Sequence, residues 1–168
     1  AVFWMIVNAF GISITTFVGQ NYGAGKIKRA KKGVTECLIM TLFSALLLAS
    51  LYLSFGRYGF MLFASDEAVV EIGMRILNTI APVFLIYVPI EIYSGALRGA
   101  GKTVVPTLFT VFGICGTRII WLSTPIGSAS IERVMLSYAI SWTLVSLLFI
   151  IYYYSTDVFG EKTQKSSL

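Results

Sequence analysis

The most informative feature of this 168-residue sequence is its shortage of charge. Asp, Glu, Lys and Arg make up 12% of the residues, about half the share typical of a soluble globular domain. In contrast, 57% of the residues are hydrophobic and the mean hydropathy is +0.81. So few charged side chains cannot cover a water-exposed surface. The composition therefore excludes an ordinary soluble domain and predicts an all-α integral membrane protein.

Histidine is absent, and cysteine occurs only as Cys37 and Cys115. Both cysteines lie in apolar segments without the spacing of metal ligands, so the sequence favours neither a zinc site nor a disulfide framework. The absence of histidine also excludes a haem site with histidine ligands within this sequence. We expect no metal and no organic cofactor, and we interpret both cysteines as small packing residues.

The positive charge is concentrated at one place. Five of the 13 basic residues lie between residues 26 and 32, namely Lys26, Lys28, Arg29, Lys31 and Lys32. In a membrane protein such a cluster indicates topology, because loops rich in Lys and Arg stay in the cytoplasm. The formal net charge of +5 therefore does not indicate nucleic-acid binding, and we expect no nucleic-acid partner.

Five segments are long and apolar enough to cross a bilayer, which takes about 20 mostly apolar residues. They cover about residues 1–20, 35–55, 76–97, 103–122 and 134–155, and a short solvated tail follows at 156–168. The basic connections and the tail are predicted to be cytoplasmic, and the connection with Asp66, Glu67 and Glu71 to lie outside. This describes a multi-pass protein of the plasma membrane (an inner membrane) with a cytoplasmic C-terminus.

The same topology places Ala1 outside the cell. Neither an initiator Met nor a charged leader precedes the first apolar segment, as a signal sequence would require. A membrane helix that begins at residue 1 is typical of the middle of a longer chain. We therefore expect this chain to be a C-terminal fragment.

The tetrapeptide Gly-Ala-Gly-Lys occurs twice, and its second copy lies in the stretch "SGALRGAGKT". This stretch looks like a phosphate-binding loop, but five residues rather than four separate Gly95 from Gly101. The residues before it also form an apolar membrane segment instead of a short strand. We therefore expect that the protein does not hydrolyse nucleotides and is not an enzyme.

Both copies are better interpreted as tight turns between membrane helices. Glycine can adopt the positive φ that ends a helix, and Thr103 is expected to cap the helix after the second turn, with Pro106 in its first turn. The glycines of the two motifs are Gly23, Gly25, Gly99 and Gly101.

The two turns also carry a family resemblance. "FVGQNYGAGKIKRAKKGV" resembles the cytoplasmic loop after the eighth helix of MATE transporters, the multidrug and toxic-compound extrusion family, and "SGALRGAGKTVVPTL" resembles the loop between the tenth and eleventh helices. "TRIIWL" and "MLSYAISWTLVSLLFIIYYY" are similar to the last two helices. The resemblance covers residues 1 to about 155. It implies five helices of the C-terminal lobe of a twelve-helix transporter, with the missing N-terminal helices of the same protein as partners.

The resemblance further implies a secondary antiporter for multidrug (xenobiotic) efflux. Such a protein exports organic cations or drugs in exchange for Na+ or H+, so its partners are the substrate and the lipid bilayer, and it needs a coupling ion rather than a cofactor. The fragment is expected to be inactive alone. Two alternatives stay open: a polysaccharide or lipid-precursor flippase of the same superfamily, and a non-transporting membrane scaffold subunit.

Glu91 is the ionisable residue placed most clearly inside a predicted span. A carboxylate there is costly unless it faces a cavity, a partner or a proton, so Glu91 is a candidate for ion coupling or cation attraction. The alternative is a structural ion pair with Arg98. The same span contains two prolines, Pro82 and Pro89, which favour a bent helix lining a cavity. Further candidates for substrate contact on this span are Tyr87, Tyr93 and Asn78.

Some members of the resembled family carry an acidic residue nine or ten positions before the Leu-Arg-Gly of this loop, where this sequence has Tyr87 and Val88. Their Na+ site is therefore not implied here. Arg118 is expected to extend outward to the membrane surface or to the acidic outer connection, with a gating role as the alternative. Arg75 is expected to be a boundary anchor, and Lys32 to pair with Glu36.

Overall fold

The computed structural model describes residues 2–63, 65–125 and 129–160, and the regular structure in these ranges is entirely helical. Seven α-helices follow one another, with a 3₁₀ turn at Ala81–Val83 and a π-helical stretch at Phe109–Gly116. The helices are α1 (Val2–Gly23), α2 (Ile27–Met61), α3 (Glu67–Ile80), α4 (Phe84–Gly99), α5 (Val104–Leu108), α6 (Thr117–Leu122) and α7 (Ile131–Ser155).

These elements form five helical units that are long and apolar enough to cross a membrane. The units are Val2–Gly23, Ile27–Met61, Glu67–Gly99, Val104–Leu122 and Ile131–Ser155. This confirms the prediction of an all-α membrane protein with five spans. Several units extend beyond their apolar segments: α2 begins at Ile27 because the Lys and Arg residues there are good helix formers. Helix α3 begins early because Asp66 caps it, accepting a hydrogen bond of 2.9 Å from the Ala68 N–H.

The two Gly-Ala-Gly-Lys turns have the same backbone structure. Gly25 and Gly101 have φ values of 72° and 79°, as predicted for glycines that end a helix. In each turn the lysine N–H bonds to a carbonyl five residues earlier, at 2.8 Å for Lys26 to Asn21 and 2.9 Å for Lys102 to Leu97. This is the Schellman arrangement, which satisfies carbonyl groups left open at a helix end.

The predicted cap at Thr103 is wrong. Thr103 has helical backbone angles, and its side chain makes no capping hydrogen bond. A capping side chain normally needs an extended backbone, whereas here the Thr103 carbonyl accepts a bond of 2.9 Å from the Thr107 hydroxyl. Pro106 lies in the first turn of α5, as predicted.

Helices α1 and α4 pack closely through small residues. A methyl group added at Gly95 would lie 2.8 Å from the Gly11 carbonyl oxygen, and one at Gly99 would lie 2.5 Å from the Thr15 carbonyl oxygen. Both distances are shorter than a methyl group tolerates, so only glycine permits this separation of the backbones. Gly95 and Gly99 lie four and eight residues after Glu91, so the same close contact contains Glu91.

Two of the five spans are not continuous α-helices. The 3₁₀ turn with Pro82 separates α3 from α4, in agreement with the predicted irregularity, and Pro89 lies inside α4. The π-helical stretch at Phe109–Gly116 was not predicted. Its residue Gly113 is buried against α7, where a methyl group would overlap Val145.

The residues after α7 fold back onto the bundle. Val158 and Phe159 are buried, and the Phe159 ring centre lies 6.2 Å from that of Tyr22 and 6.1 Å from that of Tyr153. The prediction of a solvated tail is therefore wrong for these two residues, because the aromatic rings near the first turn offer them an apolar surface. The predicted tail residues 161–168 lie outside the described residues.

Candidate functional site

Glu91 lies in the middle of α4 against α1. Its side chain is 13% exposed, and Gly11 of α1 makes the room for it, since a methyl group at Gly11 would overlap the carboxylate. The close approach of the two helices therefore leaves space for one carboxyl group and confines it.

Two side chains of the same helix bind the Glu91 carboxylate. The Tyr87 hydroxyl donates to Oε2 at 3.1 Å, and Arg98 Nη2 donates to Oε1 at 3.3 Å. Arg98 is held in turn by Ser94, whose Oγ accepts from Nη1 at 3.1 Å. The ion pair with Arg98, given above as the structural alternative, is thus present. A charge with little access to water requires such a partner.

Tyr87 also belongs to an aromatic cluster contributed by three helices. Its ring centre lies 4.7 Å from that of Trp4 on α1 and 5.2 Å from that of Trp142 on α7. Trp142 also contacts Tyr138, with 5.5 Å between ring centres. These rings form an apolar wall beside the hydroxyl that holds Glu91.

The predicted direction of Arg118 is wrong. Its Nε donates to Ser141 Oγ at 3.2 Å, and its guanidinium carbon lies 3.9 Å from the centre of the Tyr138 ring. Arg118 thus turns toward α7, where a cation–π contact and a hydroxyl group compensate its charge. Two acidic residues of the outer connection have other partners, since Glu67 binds Arg57 and Asp66 caps α3.

Arg118 and Glu91 are therefore not in direct contact. A series of aromatic rings in contact with one another lies between them. Of the three rings between them, sequence reasoning selected Tyr87 but not Tyr138 and Trp142. Their spacing of four residues, which puts both on one face of α7, was the available signal.

Two other candidates on the same span lie apart from Glu91. Tyr93 is 3% exposed, and its hydroxyl donates to that of Tyr154 at 3.4 Å in the contact between α4 and α7. Asn78 is an exposed residue of α3. The structure thus brings together Glu91, Tyr87 and Arg98, and it leaves Tyr93 and Asn78 elsewhere.

The predicted pair of Lys32 and Glu36 is confirmed, with 3.5 Å between the ammonium nitrogen and the carboxylate. Across the described ranges, no three His, Cys, Asp or Glu residues lie together in a way that could hold a metal ion.

Comparison with known proteins gives a consistent picture. The family model MatE matches residues 1–122. The chain is 30% identical over 114 residues to the probable multidrug resistance protein NorM of Thermotoga maritima. The aligned region covers 66% of this chain and 24% of that protein. It is 24% identical over 111 residues to the probable multidrug resistance protein YoeA of Bacillus subtilis, covering 66% and 24% respectively. It is 25% identical over 116 residues to the multidrug and toxin extrusion protein 2 of Mus musculus, covering 69% and 20%.

The chain therefore spans about a quarter or less of the length of these relatives, with 24%, 24% and 20% of each covered. No solved structure matches it.

Proposed function

This chain belongs to the MatE family, and on that premise we propose that it forms part of a secondary active drug exporter. The transporter would move organic cations or other drugs across the membrane in exchange for Na+ or H+. The names of the relatives describe multidrug resistance and multidrug and toxin extrusion, which supports export as the activity. The observation that carries the proposal is the confined Glu91 carboxylate inside a membrane-spanning helix.

Glu91 would couple export to ion entry through a choice between positive partners. Its present partner, Arg98, lies in the last turn of α4, and the Arg98 side chain is 41% exposed. Arg98 can therefore turn toward water at low cost when another cation or a proton takes its place on the carboxylate. Because one carboxylate cannot hold a substrate cation and a proton at the same time, their binding is mutually exclusive. Exchange of the substrate cation for a proton requires that only one of them binds at a time.

The surroundings of Glu91 also bear on the scaffold alternative. A carboxyl group in an apolar environment would favour a non-transporting subunit, whereas Tyr87, Ser94 and Arg98 form a hydrogen-bonded polar group around this one. The polar group supports transport.

The proposal is tested by Glu91→Gln in a transport-competent protein that contains this chain. We expect slower export of an organic cation such as tetraphenylphosphonium from vesicles under an imposed H+ or Na+ gradient, because the amide cannot exchange one cation for another. Glu36→Gln removes the same charge at an exposed position of α2 and should leave the rate unchanged. Unaltered export with unaltered ion dependence in the Glu91 variant would remove this residue from the mechanism.

A further inference from the structure

A cavity of about 450 Å³ lies at the end of the bundle where α7 stops and α2 starts. Lys31 and Thr35 of α2 form one wall, and Tyr154 with Ser155 forms another. Asp157 and Phe159, which follow α7, close the cavity. Because Phe159 is buried against the bundle, this closing wall is packed in place.

Asp157 has the only carboxylate among the described residues that line the cavity, and its ion pair with Lys31 is weak. Lys31 Nζ lies 3.6 Å from Asp157 Oδ1, and the two side chains are 56% and 55% exposed. Ion pairs as exposed as this one contribute little, because water competes for both partners. Lys31 can therefore exchange Asp157 for another anion that approaches the cavity.

The other polar groups of the cavity suit a phosphate group. A phosphodiester offers oxygen acceptors and needs donors, which a lysine and hydroxyl groups supply. The Tyr154 hydroxyl lies 3.4 Å from that of Tyr93 and can donate its own hydrogen to a further acceptor. Thr35 and Ser155 also line the cavity, but their hydroxyls donate to the carbonyl groups of Lys31 at 3.4 Å and Ile151 at 2.6 Å. Lys31 and Tyr154 therefore remain as donors that the cavity offers to a phosphate.

The position of the cavity favours a lipid as the source of this phosphate. Lys31, Thr35 and Ile39 are spaced by four residues and so share one face of α2, and Ile39 is 61% exposed. Along α2, this face thus carries first a cation and a hydroxyl group and then an exposed apolar side chain. A lipid has the matching order, with a polar headgroup followed by acyl chains. The basic residues clustered around Lys31 attract an anionic membrane surface.

We propose that this cavity binds the headgroup phosphate of an anionic phospholipid, with Lys31 as its cation and Asp157 as an internal anion that competes for Lys31. The acyl chains would lie along the face of α2 that contains Ile39. This site requires only that the helices lie in a membrane, and it does not depend on the proposed export.

The test uses the complete membrane protein that carries this chain, in a neutral detergent, with native mass spectrometry to measure phosphatidylglycerol binding. Lys31→Gln should weaken binding of the first lipid about five-fold, corresponding to about 1 kcal/mol for one lysine. Lys28→Gln makes the same charge change outside the cavity lining and should have a much smaller effect. Equal losses in the two variants would show diffuse attraction rather than a site, and would overturn the proposal.

A second pair of variants examines the competition. Asp157→Asn should strengthen phosphatidylglycerol binding, because Lys31 no longer has an internal anion. Glu36→Gln also releases a lysine, Lys32, but outside the cavity, and should not strengthen binding to the same extent. Unchanged binding in Asp157→Asn would overturn the role of Asp157.

Two further ligands separate the possible sources of the phosphate. Phosphatidylcholine should bind less tightly than phosphatidylglycerol, since its headgroup has no net charge. Inorganic phosphate at the same concentration should not displace phosphatidylglycerol, because it has no acyl chains to lie along α2. Displacement by inorganic phosphate would assign the cavity to a soluble anion and overturn the lipid assignment.

Discussion

At the scale of single residues, space and charge compensation decide where the ionisable groups of this chain lie. Glu91 occupies room left by Gly11 and is held by Tyr87 and Arg98. Arg118 follows the same rule with different partners, since Ser141 and the Tyr138 ring compensate its charge. The sequence identified Glu91 as a charge inside an apolar segment, whereas Arg118 was expected to reach the membrane surface. It identified the partner of Glu91, seven residues away on the same helix, but not those of Arg118, which lie on another helix.

Gly11 is predicted to be essential for the position of Glu91. In Gly11→Ala the added methyl group would force the carboxylate to another rotamer and break its bonds to Tyr87 and Arg98. We expect a loss of about 1–3 kcal/mol in the free energy of unfolding and slower export, measured by thermal unfolding in detergent and by vesicle transport.

The matched control for this change is Gly23→Ala. Gly23 lies in α1 with no neighbouring atom within 4 Å of an added methyl group. Its variant should transport as the parent does and be equally or slightly more stable. If Gly11→Ala behaves like Gly23→Ala, Glu91 is not confined by α1.

At the scale of helices and turns, local sequence predicted the two glycine turns well and the interior of the spans poorly. The two Gly-Ala-Gly-Lys turns were predicted because a positive φ is a property of glycine itself. The π-helical stretch Phe109–Gly116, whose Gly113 packs against Val145 of α7, was not predicted. The predicted cap at Thr103 was wrong because the backbone of the turn continues directly into α5, so Thr103 already has helical backbone angles.

The two turns are predicted to respond equally to substitution. Gly25→Ala and Gly101→Ala place a side chain at φ values of 72° and 79°, and each should destabilise the protein by about 1–2 kcal/mol. Thermal unfolding of the variants in detergent measures the effect. Gly116→Ala, at a helical position with open space around it, should be neutral or slightly stabilising. If only one of the two alanine variants were destabilised, the two motifs would not be equivalent.

At the scale of the whole molecule, the five spans form one packed bundle that still exposes large apolar and aromatic side chains. Trp4, beside Tyr87, is 38% exposed, and Ile12 and Phe43 are 69% exposed. The chain spans about a quarter or less of the length of its curated relatives. These facts support the expectation that transport requires more helices than this chain contains.

Vesicles reconstituted with this chain alone should therefore show no substrate-driven H+ or Na+ flux. The reason is that a translocation path needs protein on every side, and this chain spans about a quarter or less of the length of its relatives. A pH-sensitive or Na+-sensitive dye inside the vesicles measures the flux, and a transport-competent protein that contains the chain serves as the positive control. Flux with the chain alone would mean that these five helices are sufficient for transport.

By itself, the sequence determined the membrane class, the five spans, the two glycine turns and the presence of one carboxylate, Glu91, inside an apolar segment. Each of these depends on properties within one segment: its length, its apolarity, the conformational freedom of glycine, or a charge among apolar neighbours. Only the tertiary structure decided that Arg118 turns inward, that Tyr93 pairs with Tyr154, and that Phe159 is buried against Tyr22. These contacts join residues far apart in sequence, so their energies depend on which helix faces meet, and no single segment contains that information.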